Sequence, residues 1–248
     1  MSAPRAVVVG GGVYGWGCAL RLAQLGASVT VVDDRSVGDT QRASGGTTRV
    51  LRFEYGDDGH YSELTLRARA RWREIEALTG ADLFREVGLL FLVPDGGDGA
   101  WERASLAATG ALGVGGTELD AADIARRWPG IRPEGVAWGA FNDNGGILWA
   151  NRATRIIAGL ARAAGASFVQ ERGVDTDAGG VTLASGARID GDVVVLATGA
   201  WTAALTDVPI RPTVSSPSTW PAGRPTSRSS ATGRRSPCTA CRRTTASA

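Results

Sequence analysis

Residues 5–34, RAVVVGGGVYGWGCALRLAQLGASVTVVDD, constrain the fold more than any other stretch, because they read as a strand, a glycine turn, a helix and a second strand. Ala6 to Val9 are apolar and β-prone, and Gly10, Gly12 and Gly15 fall in G-x-G-x-x-G spacing. Val13, Cys18, Leu20, Leu22, Ala23 and Leu25 make the following helix amphipathic, and Ser28 to Val32 form a second short strand that ends at Asp33. Each glycine has a mechanical task. The first permits the tight turn, the second lets backbone approach a pyrophosphate, and the third lets the helix pack close to the sheet. The pyrophosphate rests on the helix N-terminus, where unpaired N–H groups and the helix dipole favour negative charge. Asp33 stands where a carboxylate accepts both ribose hydroxyls of an adenosine. The pattern predicts an α/β, Rossmann-like dinucleotide-binding fold.

The chain has 35 glycines, so the spacing alone arises readily by chance, and a glycine-rich turn with no ligand is the alternative. The apolar strand before it, the helix after it and the acid that follows Gly15 after 17 intervening residues argue for the ligand. A strand beginning at Arg5 leaves no room for a secretory signal, and the glycine turn interrupts the apolar run, so no membrane span is expected. All 27 basic residues are arginine, and the formal charge of +2 comes from six arginines in residues 214–248. The first 213 residues carry 21 basic against 25 acidic side chains, a net of −4, which argues against a nucleic-acid partner. Three cysteines give no disulfide framework, which fits a cytoplasmic protein.

Residues 35–56 read as a polar loop running into an arginine-rich segment. Tyr61 to Leu78 has helical spacing with Leu64, Ala68, Trp72 and Ile75 on one face, and Arg67, Arg69, Arg71 and Arg73 are expected to fan over a solvated surface. Leu83 to Val93 reads as one β segment, Trp101–Leu112 and Ala121–Trp128 as short helices, and Val136–Phe141 as a strand. Helix follows over Ala150–Ala164, then strands over Ser167–Gln170, Val181–Leu183 and Asp192–Ala197. The last of these breaks at Thr198-Gly199, a second turn where ligands of doubly wound sheets bind, with an ordinary strand end as the alternative.

VVVGGGVYGWG with Asp33, TTRVLRFEYG (47–56), GASFVQERGV (165–174) and VVVLATGAWT (193–202) together resemble the FAD-dependent amine-oxidising family that includes sarcosine and N-methyltryptophan oxidases. The resemblance spans residues 5–213. It implies FAD as cofactor, a small-molecule amine or amino acid as substrate, and Gly10, Gly12, Val13, Tyr14, Gly15, Asp33, Thr48, Val174, Thr198 and Gly199 as cofactor-binding positions. It also implies that Arg49 lies beside the flavin ring, that Arg52 pairs with the substrate carboxylate, and that backbone at Val174 contacts adenine. A guanidinium cannot lose its charge and presents a rigid fork of donors to a carboxylate, so that role suits Arg52. A structural ion pair of Arg52 with Glu54 or Asp57 is the competing reading. His60, the single histidine, is expected on a surface loop, and no metal site is expected. The chain has Ser44 and Gly45 where family members often carry histidine.

After Thr213 the composition changes: 14 of the last 35 residues are Ser or Thr, and none is Leu, Ile, Phe, Tyr, Asp or Glu. Reading G+C-rich codons one nucleotide earlier gives Arg-Gln-Leu-Ala-Val-Asp-Val after Thr213, which resembles the family's continuation. A frameshift there with premature termination is expected, leaving Cys238-Thr-Ala-Cys241 without function and the attachment cysteine of resembling enzymes unmatched. The expected organisation is a first FAD-binding part over 1–80, a segment of an incomplete α+β substrate domain over 81–142, a second FAD-binding part over 143–213, and a disordered, non-family tail over 214–248. Two other readings stay open: a non-catalytic dinucleotide-binding fragment and an NAD-dependent dehydrogenase.

Overall fold

The computed structural model describes residues 2–212. From the amino end the chain forms β1 (Arg5–Val9), α1 (Val13–Gln24) and β2 (Ser28–Val32), crosses a loop to β3 (Arg49–Leu51), and continues through α2 (Gly59–Thr79), β4 (Phe84–Glu86) and β5 (Leu89–Pro94). Then come α3 (Ala100–Ala111), β6 (Thr117–Asp120), α4 (Ala121–Arg127), β7 (Val136–Asn142), β8 (Gly146–Leu148) and α5 (Ala150–Ala163). The described part closes with β9 (Ser167–Val169), β10 (Gly173–Asp177), β11 (Gly180–Leu183), β12 (Arg188–Asp190), β13 (Val193–Leu196) and a 3-10 helix over Gly199–Ala204. Residues 214–248, with Cys238 and Cys241, lie outside the described residues, so the expectations for that tail stay with the sequence.

Four strands pair in parallel in the order β13-β1-β2-β9, with Val9 opposite both Val32 and Leu196. Strands buried on both faces read as near-continuous apolar runs, as VVV of β1 and the valines of SVTVV show. One face, carrying Ala6, Val8, Val29 and Val31, packs on Trp16 and Ala19 of α1 and on Ile157, Ala158 and Ala161 of α5. The other, carrying Val7, Val9 and Val32, packs on Val181 and Leu183 of β11. Each fully buried valine contributes about 1.5–3 kcal/mol. The parallel sheet is therefore sandwiched between a helical layer and the antiparallel sheet β10-β11-β12. This is the expected α/β, Rossmann-like arrangement.

Two further antiparallel sheets, β3-β8-β4 and β5-β7-β6, come from the middle of the chain. Leu83–Val93, read as one β segment, is two strands in two sheets. The break lies at Gly88, whose φ of +78° suits glycine and where a Cβ would stand 2.5 Å from the Phe141 ring. The arginines of α2 also divide. Arg67 and Arg71 pair with Glu63 and Glu74 on the exposed surface as expected. Arg69 instead bonds Asn144 at 2.8 Å and lies over the Phe53 ring, and Arg73 bridges Glu76, Glu86 and the Phe84 carbonyl. These two fasten the helix to the β3-β8-β4 layer. No helix among the described residues is long and apolar enough to cross a membrane.

Candidate functional site

The glycine turn sits at the carboxyl ends of the parallel strands, and each glycine answers to a different neighbour. Gly10 adopts φ +111°, and a Cβ there would lie 2.4 Å from the Ala197 carbonyl oxygen. Its N–H donates to Val32 O at 2.8 Å, while Ala197 N donates to Val9 O at 2.8 Å. The turn after β13 is thereby pressed against the turn after β1, so Thr198 and Gly199 stand beside the first glycine. Gly199 has φ +56°, and the Thr198 and Thr202 hydroxyls are 2.9 Å apart. Gly15 permits close packing in the strict sense, since a Cβ there would fall 1.7 Å from Gly10 O.

Gly12 differs from both. Its φ of −78° is open to any residue, and the one atom within 4 Å of a built Cβ is Ser44 Oγ at 3.3 Å. The space in front of it is what a pyrophosphate needs. The α1 hydrogen-bond ladder begins with Trp16 N donating to Gly12 O at 3.0 Å, so the N–H groups of Val13, Tyr14 and Gly15 precede it and face the helix mouth. Val13 N donates to Ser44 Oγ at 3.2 Å, and the Tyr14 side chain is exposed.

Asp33, at the end of β2, is held from several sides. Oδ2 accepts from Gly11 N at 2.5 Å and from Arg42 Nη1, and Oδ1 accepts from Arg35 N at 2.8 Å and Arg42 Nη2 at 2.7 Å. Both side chains of the Asp33–Arg42 pair are more than nine-tenths buried. Burial alone would raise the carboxyl pKa, but the hydrogen bonds from Arg42, Gly11 and Arg35 together with the nearby guanidinium charge outweigh it and hold it below the ordinary carboxylate value. Asp33 N also donates to Val169 O at 3.1 Å. Val174, partly exposed in β10, follows Gly173, where a Cβ would meet Val9 Cγ1 at 3.3 Å, so the start of β10 comes to the end of β1.

The arginine segment behaves in two ways. Arg49 is exposed, and its guanidinium clips its own loop, with Nε and Nη2 donating to Ala43 O at 2.9 and 2.6 Å and Nη1 to Thr48 O at 2.7 Å. Arg52 has no carboxylate partner among the described residues. Its guanidinium lies over the Tyr55 ring at 4.8 Å and the Trp101 ring at 5.8 Å. Glu54, the proposed structural partner, is buried elsewhere, accepting from Asn142 Nδ2 at 2.7 Å and Phe53 N at 3.1 Å. His60 is exposed and packs edge-on against Tyr61.

The structure thus gathers Gly10, Gly12, Val13, Gly15, Asp33, Thr198 and Gly199 at one sheet edge, reaches them through Ser44 and the Thr48–Arg49 loop, and sets Arg52 in a separate aromatic cluster. Gly45 lies where a Cβ would be 2.6 Å from both Asp39 O and Thr40 O, so this tight loop has no room for a side chain at that position. Arg42 is the residue that sequence reasoning missed. It sits in an aperiodic loop, and nothing but its position nine residues after Asp33 hinted at it.

The family model described as DAO, FAD dependent oxidoreductase, matches residues 5–242. That match continues past Thr213. Monomeric sarcosine oxidase of Bacillus sp. (strain B-0618) is 28% identical over 216 residues, covering 83% of this chain and 55% of that protein. N-methyl-L-tryptophan oxidase of Salmonella arizonae is 29% identical over 211 residues, covering 83% and 56%. Among solved structures, NikD, described as an unusual amino acid oxidase essential for nikkomycin biosynthesis, superposes with a TM-score of 0.68 at 29% identity, covering 83% of this chain and 53% of NikD. L-proline dehydrogenase from P. horikoshii, at 24% identity and a TM-score of 0.71, shares the fold. The chain spans about half the length of the curated relatives it matches. With its glycine turn, strand-end acid and parallel sheet in the expected places, the chain belongs to the DAO family of FAD-dependent oxidoreductases.

Proposed function

We propose that this chain carries the FAD-binding portion, and part of the substrate wall, of an oxidoreductase that oxidises the C–N bond of an amino acid or secondary amine. The observation that carries the reading is the open face at Gly12 in front of the α1 N-terminus, with a strand-end acid beside it, in a chain of the DAO family. The residues fit FAD: Val13, Tyr14 and Gly15 would present N–H groups to the pyrophosphate, Asp33 would accept from the ribose, and Thr198, Gly199 and Val174 would border the same edge. The buried, unpartnered Trp16 Nε1 beside Gly11 and Asp33, and the buried, unpartnered Arg42 Nε, are donors with spare capacity in this cluster. Bound flavin would supply a hydride acceptor, with molecular oxygen as the final oxidant. Arg49, by clipping residues 43–48, would fix the loop that borders the ring. Arg52 would orient the substrate through its carboxylate, since a guanidinium resting on aromatic faces keeps its edge donors available. Residues 81–142 would form the substrate-facing segment, between FAD-binding parts at 1–80 and 143–213, in a cytoplasmic enzyme with no nucleic-acid or membrane partner.

FAD titration of the purified chain, followed by quenching of flavin fluorescence, tests this reading. Saturable FAD binding with no NAD binding is expected; micromolar affinity for NAD and none for FAD would reverse it. The relatives' greater length favours one second reading, a portion that binds FAD without turnover by itself, and an assay of amine-dependent flavin reduction separates the two. Arg52→Lys is expected to weaken a carboxylate-bearing amine about tenfold, the loss of one charge-assisted bond, and to leave a neutral amine unchanged. Equal effects on both, measured as perturbation of the flavin spectrum, would make Arg52 structural.

A further inference from the structure

Two rings from two different elements hold the Arg52 guanidinium. The Tyr55 ring lies 4.8 Å from it, and the ring of Trp101, the second residue of α3, lies 5.8 Å away. Tyr55 packs in turn on the Tyr61 ring of α2 at 5.4 Å. Trp101 is seated more firmly. Gly56 has φ +69°, and a Cβ there would stand 2.8 Å from Trp101 Cδ1, so the indole rests directly on backbone that only glycine can offer. The Phe91 ring of β5 meets the indole in a T-shaped contact at 5.3 Å. Fully buried Ser105, one turn along α3, joins the two sides: its Oγ accepts from Gly56 N at 2.8 Å and donates to Trp101 O at 2.8 Å.

The neighbouring acids take no part in this arrangement. The Glu54 carboxylate is turned into the core, where Asn142 Nδ2 and Phe53 N occupy it. Asp57 is exposed, and Arg52 is half-buried with no carboxylate partner among the described residues. An arginine stacked on two faces loses torsional freedom before a ligand arrives, and its edge N–H groups stay outside the stack. A carboxylate then meets a fork already in place, so less ordering entropy opposes its binding.

We propose that Trp101, seated on Gly56 and braced by Ser105, is a positioning residue that holds the Arg52 guanidinium with its edge free for a substrate carboxylate. The proposal rests on the reading of Arg52 given above. It makes the start of α3, which touches neither the glycine turn nor Asp33, a determinant of the preference for carboxylate-bearing amines over neutral ones.

The test uses the full chain loaded with FAD, and has two readouts. The first needs no substrate: the Arg52 Nε–H signal in nitrogen-15 NMR, assigned by its loss in Arg52→Lys, reports the ring currents of the aromatic faces. Trp101→Leu is expected to move that signal toward the position of a free arginine, and Trp101→Phe to restore part of the shift. The second is titration with N-methylglycine, which carries a carboxylate, and with dimethylamine, which has none. Trp101→Leu is expected to weaken N-methylglycine about fivefold, equivalent to about 1 kcal/mol, and to leave dimethylamine unchanged. Ser105→Ala removes the brace without touching the indole, is expected to weaken N-methylglycine about twofold, and remains readable if the leucine variant does not fold.

An unmoved Arg52 signal in Trp101→Leu, or equal weakening of both amines, would overturn the positioning role. If Arg52→Lys discriminates between the two amines while the Trp101 and Ser105 variants bind both as wild type does, the positioning role falls and the reading of Arg52 stands. Should Arg52→Lys affect both amines equally, or wild type fail to bind N-methylglycine, the reading of Arg52 falls and the proposal with it.

Discussion

Asp33→Ala is expected to destabilise the folded chain by about 3–5 kcal/mol, because it strands the buried Arg42 guanidinium without its anion. The loss of ribose hydrogen bonds alone would touch ligand binding and leave the empty protein unharmed. Here the carboxylate is also a structural partner, tying Gly11 of the glycine turn, Arg35 and Arg42 to the end of β2. Urea unfolding of the flavin-free protein measures this directly. The double variant Asp33→Ala/Arg42→Met removes the orphaned charge along with its partner, and is expected to recover most of that stability while still failing to bind FAD tightly. A loss under about 1 kcal/mol in the single variant would mean that the guanidinium swings into water at little cost, as an exposed pair would allow.

The parts of this site that the sequence reveals are those where one requirement is written several times over. β1, α1 and β2 are legible because apolar runs, glycine spacing and helical periodicity agree within 30 residues. β2 was read to the residue, and α5 within one position, since its buried Ala150, Ala153, Thr154, Ile157, Ala158 and Ala161 repeat at helical intervals. β3 and β8 left no such trace. RVL and GIL are three residues each, Val50 is exposed, and the two become strands by pairing with one another, with β4 on the far side of β8. The segment around Gly88 misled for a related reason: apolar content signals burial, and it does not tell which sheet a strand joins.

Functional side chains divide along the same line. The glycines and Asp33 are tied to secondary-structure ends and so occupy predictable places. Arg42, Ser44 and Gly45 lie in a loop whose path is fixed by the bond of Ser44 to Val13 N and by Arg42 bonds to Asp33 and to carbonyls of the loop itself, and no local periodicity encodes that path. Even Arg52, whose role the resemblance suggests, acquires its Trp101 neighbour only through tertiary packing.

Gly15→Ala and Gly12→Ala, though they change the same turn by the same methyl group, are expected to fail in different ways. At Gly15 the new Cβ would fall 1.7 Å from Gly10 O, a main-chain atom of a residue whose own N–H is held by the Val32 carbonyl and which Ala197 flanks. Neither backbone can yield without moving α1 off the sheet, so the change is expected to cost about 3 kcal/mol or more, at the upper end for overpacking, and to shift the thermal midpoint downward. At Gly12 the methyl meets Ser44 Oγ at 3.3 Å, the end of a side chain that turns away with ease, and the φ of −78° imposes no strain. Gly12→Ala is therefore expected to melt within about 0.5 kcal/mol of wild type. Its FAD affinity is nevertheless expected to fall at least tenfold, since the methyl stands where the pyrophosphate must approach the backbone. Melting curves and FAD titrations on the two variants check both halves. A Gly12→Ala protein that binds FAD normally would mean that the phosphates lie elsewhere, whereas a Gly15→Ala protein of wild-type stability would mean that α1 does not pack as closely on the glycine turn as the Gly10 contact requires.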